Sequence, residues 1–128
     1  VLLLLLAACG EDDDPYRERR VIGGDPVIGR AIVADARYGC GACHAIPGIP
    51  NARGTVGPPL AGFGARGYIA GQIPNMPGRL VAWLEDPPAL VPATAMPDVG
   101  LDRERALHAA AWLYTLREPR GGSWGVFR

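Results

Sequence analysis

The chain has 128 residues, with 13 basic and 13 acidic side chains, 48% hydrophobic residues, 18 Gly, 13 Pro and three Cys. That is room for one small domain with tails and excludes two domains with separate cores. The formal net charge is zero and no basic run goes beyond Arg19-Arg20, so the electrostatic footprint of a nucleic-acid binder is missing. All the basic residues are Arg, which removes Schiff-base chemistry and the phosphate-binding lysine of a P-loop.

In chain order, Val1 to Ala8 is an apolar run that is too short to span a bilayer and reads as the tail of a truncated signal peptide. Leu6-Ala7-Ala8-Cys9-Gly10 resembles the bacterial lipoprotein box, so Cys9 is expected to carry lipid and the chain to lie on the extracytoplasmic, periplasmic side of a membrane. Residues 9–25, acidic at Glu11 to Asp14 and basic at Arg17, Arg19 and Arg20, are expected to be a flexible tether. The folded domain is expected over 26–117, with a Gly-rich tail at 118–128. Inside the domain there are eight Arg and six acids.

Three helices are predicted. Asp25 caps the first, Pro26 opens it, and Ile28, Ala31, Ile32 and Ala36 form its apolar stripe up to Tyr38, before Gly39. The second starts at Asn75 to Pro77 and reaches Glu85, with Leu80, Val81, Trp83 and Leu84 apolar and Pro87-Pro88 ending it. The third is capped by Asp102 and carries Leu107, Ala110, Ala111 and Tyr114 at helical spacing, widened by Trp112, Leu113 and Leu116. No strand is predicted. The Gly/Pro-rich stretch Ala45 to Pro74 is longer than a compact domain normally leaves without something to wrap around.

Cys40-Gly41-Ala42-Cys43-His44 supplies a candidate. Two thiols spaced by two residues and followed by His form the attachment signature of c-type haem, with two thioethers to vinyl groups and an imidazole on iron from the same side. A thioredoxin-like redox pair wants a strand-to-helix context, and a zinc site wants further ligands, whereas the other Cys and His are Cys9 and His108. A sixth iron ligand can come from Met76, Met96 or His108. Met96 is favoured because Pro92-Ala93-Thr94-Ala95-Met96-Pro97 is a proline-braced loop that can hold a thioether still. Met76 reads as packing or a cap neighbour, and His108 as a surface or interhelical histidine.

These motifs, together with Gly57-Pro58-Pro59-Leu60, resemble the class I monohaem cytochrome c family over 26–117, and the stretch from Gly57 through Tyr68-Ile69-Ala70-Gly71 and Pro74-Asn75-Met76-Pro77 resembles in particular the small lipoprotein-type cytochromes c associated with bacterial haem-copper oxidases. The resemblance implies an all-α cytochrome c fold, three main helices and long loops around one covalent haem. It implies His44 and Met96 as iron ligands and the Pro58 carbonyl as acceptor for the His44 Nδ1 proton. It also implies Arg66 near a haem propionate with Tyr68 as a second donor, and Trp83 and Thr94 among the cofactor-binding residues. Gly29 should meet Trp112 where the first and last helices touch. No ring of lysines surrounds the haem edge, so docking uses Arg or apolar contacts. The function implied is non-enzymatic: one-electron transfer from an upstream donor toward a terminal oxidase or another periplasmic acceptor. A ligand-binding or peroxidase-like haem protein is the alternative.

Overall fold

A computed structural model describes residues 19–117. The expected signal-peptide remnant, the expected lipid site at Cys9 and the expected tail at 118–128 lie outside the described residues. Five α-helices are present among them: α1 (Pro26–Ala34), α2 (Cys40–Cys43), α3 (Pro77–Glu85), α4 (Pro87–Leu90) and α5 (Arg103–Leu113). Between α2 and α3 come a 3₁₀ turn, Phe63–Ala65, and a two-stranded antiparallel sheet, β1 (Tyr68–Ile69) with β2 (Ile73–Pro74). The expectation of an all-α cytochrome c fold is therefore corrected. A small sheet and two extra short helices accompany the three expected helices, and the chain is mixed in its secondary structure.

Local chemistry accounts for each element. Asp25 caps α1 by accepting from Val27 N and Ile28 N, and Pro26 stands where its missing N–H costs nothing. The helix ends at Ala34, short of the expected Tyr38, because the Asp35 carboxylate takes the Arg37 N–H at 2.9 Å and holds a turn in place of another helical residue. Pro87 and Pro88 do more than end α3. Asp86 accepts from Ala89 N, so the two prolines become the opening turn of α4. In the hairpin, Ile69 faces Ile73 and both are buried. Its turn needs positive φ at Ala70 (50°) and Gly71 (68°), closed by Gln72 N–H donating to Ile69 O at 3.0 Å.

The core is organised by the α1–α5 crossing. A Cβ on Gly29 would stand 1.9 Å from the His108 carbonyl oxygen and 2.9 Å from the Trp112 Cβ, so only glycine lets the helices approach this closely. The expected meeting of Gly29 with Trp112 is there. That approach turns α1 so that Gly29 and Val33 are buried while Ile28 and Ala31 face out, against the expected stripe. On α5 the most buried residues are Ala106, Ala109 and Ala110, with Trp112 and Leu113 beside them, whereas Leu107 and Ala111 are half-buried. The side of α5 pressed against Gly24 and Gly29 carries Leu107, His108, Ala111 and Trp112. At the end of the expected tether, Val21 is in the core and Arg19 donates to the carbonyls of Gly64 (2.9 Å) and Arg66 (2.8 Å), while Ile22 stays exposed.

The long stretch after α2 is tied at several points. Ala45 and Arg53 form an isolated antiparallel bridge. Buried Asn75 donates from Nδ2 to Phe63 O and Arg66 O, and accepts from the Tyr114 hydroxyl at 2.9 Å. One amide therefore joins the 3₁₀ turn, the start of α3 and the end of α5.

Candidate functional site

The Cys40 to His44 motif is shaped by its own backbone. Gly39 adopts φ 66°, which turns the chain into α2, and the His44 N–H closes that turn on Cys40 O at 2.9 Å. Cys40 and Cys43 thus lie one turn apart on a single helical turn, with His44 extended immediately after it. Neither thiol is in a disulfide. Burial pushes the Cys40 thiol above its ordinary range; a backbone hydrogen bond opposes this and the Cys43 sulfur adds to it. That direction is opposite to the depressed thiol of a disulfide oxidoreductase. Among the described residues no group of three or more His, Cys, Asp or Glu could hold a metal ion, which leaves a zinc reading short of ligands.

The loop that follows folds back onto this turn. Gly54 N–H donates to Gly41 O at 3.1 Å and Gly57 N–H to Cys43 O at 2.8 Å. A Cβ on Gly54 would lie 2.3 Å from the Cys43 carbonyl carbon, and one on Gly57 would lie 2.3 Å from the His44 Cε1. The imidazole is therefore seated against bare backbone. Its Nδ1 lies 2.7 Å from the Pro58 carbonyl oxygen. A carbonyl can only accept, so Nδ1 carries the proton and Nε2 of the neutral ring keeps its lone pair.

Each of the other expected site residues has its own surroundings, with no hydrogen bond to Cys40, Cys43 or His44. Arg66 donates to the carbonyls of Pro59 and Ala61 and its guanidinium lies 5.8 Å from the Phe63 ring centroid. Tyr68 is exposed on β1. Trp83 is buried on α3. Thr94 Oγ1 accepts from the Met96 N–H at 3.1 Å, which fixes the loop around the methionine, and Met96 is half-buried against the same apolar core that Cys40 flanks. Met76 is the N-cap residue of α3 and is exposed. His108 accepts the Asp25 N–H at Nδ1 (2.9 Å), a contact between α5 and the start of α1.

The fit of these residues to a covalently bound haem rests on three observations. The thiols are free and one helical turn apart, the imidazole has Nδ1 against the Pro58 carbonyl with Nε2 outside that contact, and the thioether side chain that flanks the core has its backbone held by Thr94. Sequence reasoning did not find Gly54 as a contact residue, nor the Asn75–Tyr114 pair. The pair spans 39 positions, and no local pattern announces so distant a partner.

No protein-family model matches the chain. Over 58 residues it is 40% identical to a protein named cytochrome c oxidase subunit 2 from Alkalihalophilus pseudofirmus. The match takes in 45% of this chain and 16% of that subunit, so the chain spans a small part of the relative's length.

Proposed function

We propose that this chain is a one-electron carrier in which Cys40 and Cys43 would attach a single haem and His44 and Met96 would hold its iron. The observation that carries this reading is the 2.7 Å contact of His44 Nδ1 with the Pro58 carbonyl, which accepts from Nδ1 and leaves Nε2 available to a metal, on the residue next to two free thiols. A bound haem c supplies a reversible one-electron iron couple. The residues of this chain supply the rest. Gly57 leaves room for the ring, Pro58 fixes its orientation, and Thr94 steadies the backbone at Met96. Arg66, already bound to Pro59 and Ala61, is the cation for a propionate, with Tyr68 as a second donor. Trp83, buried on α3, contributes to the apolar wall of the cofactor site.

The likeness to an oxidase subunit associates the chain with respiratory oxidases. The finer reading is that it passes electrons from an upstream donor to a terminal oxidase or another acceptor on the extracytoplasmic side, anchored there by lipid on Cys9. No substrate bond is made or broken in this role. A peroxidase-like role would need a distal acid-base group, and the second imidazole, His108, has its Nδ1 engaged by Asp25.

The test is covalent attachment. Haem colour should stay with the chain through boiling and a denaturing gel, and should be lost from the Cys40→Ala, Cys43→Ala double variant. Colour that stays with the double variant would overturn the assignment.

A further inference from the structure

Resting on the electron-carrier reading, we propose that Asn75 is a positioning residue for His44, acting through Arg66 and the Pro58-Pro59 backbone. Asn75 is 1% exposed, and its side-chain amide is fully engaged inside the protein. Nδ2 donates to Phe63 O at 3.3 Å and to Arg66 O at 3.0 Å, while Oδ1 accepts from the Tyr114 hydroxyl at 2.9 Å. The Asn75 backbone N–H donates to Gly67 O at 2.9 Å, and Arg19 donates to Gly64 O and again to Arg66 O. The carbonyls of Phe63, Gly64, Arg66 and Gly67 are thus all held from outside their own segment. Burying an amide is costly unless each of its groups is paired, and a network that is fully paired specifies one arrangement. What this amide adds, and an apolar side chain of its size could not, is a fixed place for Arg66.

The Arg66 side chain carries that constraint onward. Its guanidinium donates to Pro59 O and, at 3.1 Å, to Ala61 O. Pro59 directly follows the residue whose carbonyl lies 2.7 Å from His44 Nδ1. A line of hydrogen bonds therefore runs from Tyr114 at the end of α5 through Asn75 and Arg66 to the Pro59 carbonyl. The peptide units on either side of Pro59 are planar and its ring fixes φ, so ψ is the one soft torsion left between the Pro59 and Pro58 carbonyls. Holding the first limits how the second can turn, and the acceptor on a ligating histidine sets both its ring orientation and its basicity.

The experiment follows, by NMR of the reduced haem-loaded protein, the exchange of the His44 Nδ1 proton with solvent. Asn75→Ala should speed that exchange by about tenfold, and Tyr114→Phe, which leaves both Asn75 donors in place, by about threefold. Adding Asn75→Ala to Arg66→Ala should speed it no further than Arg66→Ala alone, because the two residues act along one line. Should Asn75→Ala yield no folded protein, Tyr114→Phe combined with Arg66→Ala runs the same cycle. Val33→Ala, a truncation buried on α1, is the control for lost stability and should leave the exchange unchanged. Exchange indifferent to Asn75→Ala and Tyr114→Phe, a Val33→Ala effect as large as theirs, or effects that multiply in the double variant would overturn the positioning role. A chain purified without haem would defeat the electron-carrier reading itself, so the two failures are distinct.

Discussion

Tyr114 and Asn75 show how one buried hydrogen bond governs a junction. The Tyr114 hydroxyl donates to the Asn75 side chain, and Asn75 in turn holds the carbonyls of Phe63 and Arg66. Burial raises the Tyr114 pKa from 10 to about 12, with a nearby Arg19 charge working the other way. The folded state therefore keeps its proton where the unfolded chain has lost it. The stability this provides is complete below pH 10 and is lost as pH rises from there through about 12. Tyr114→Phe removes the donor, leaves the Asn75 oxygen buried and unpaired, and should cost about 1–3 kcal/mol in denaturant titrations at neutral pH. The same variant should flatten the alkaline decline in stability. An unchanged alkaline slope would show that other groups set it.

Among the elements, those governed by nearest neighbours were readable in the sequence and those governed by distant ones were not. Asp25-Pro26 and Asp102 mark the starts of α1 and α5 as expected, because a cap acts within three residues. The end of α1 was misjudged because the Asp35 side chain competes for backbone N–H groups locally, which apolar periodicity does not register. The buried face of α1 was misjudged for another reason: Gly29 looks like a weak helix residue until α5 is laid against it. The β1–β2 hairpin escaped because its turn is Ala70-Gly71, without the Asn or Asp that usually announces such a turn. Ala70 at φ 50° bears the steric cost of a left-handed conformation. Ala70→Gly should relieve that cost and raise stability by about 0.5–1 kcal/mol, read as a shift in denaturant midpoint with unchanged slope. A lower midpoint would mean that the alanine methyl contributes packing the turn depends on.

Over the whole molecule, the turn of Cys40 to Cys43 is held by backbone contacts from its own loop, while Met96, which follows α3 and α4 in the chain, reaches the same core. The helical turn of Cys40 to Cys43 and the braced backbone around Met96 depend on neighbours a few residues away, which a sequence displays. The seat of the imidazole on Gly57 was not legible there, because it depends on a fold-back that only the three-dimensional contacts display. In this account the lipid anchor and the haem domain are separate devices. Cys9→Ser should release the protein from membranes with its visible spectrum intact, and continued membrane binding would contradict the anchor.

The central claim is ligation of one haem iron by His44 and Met96, and absorption spectroscopy of the purified protein in both oxidation states tests it most directly. The native protein should be low-spin, with the weak far-red band of a sulfur ligand in the oxidised form. In Met96→Ala that band should vanish, the reduction potential should fall, and carbon monoxide should bind readily, while Met76→Leu should match the native protein. A high-spin native spectrum, or a Met96→Ala spectrum indistinguishable from the native one, would contradict the account.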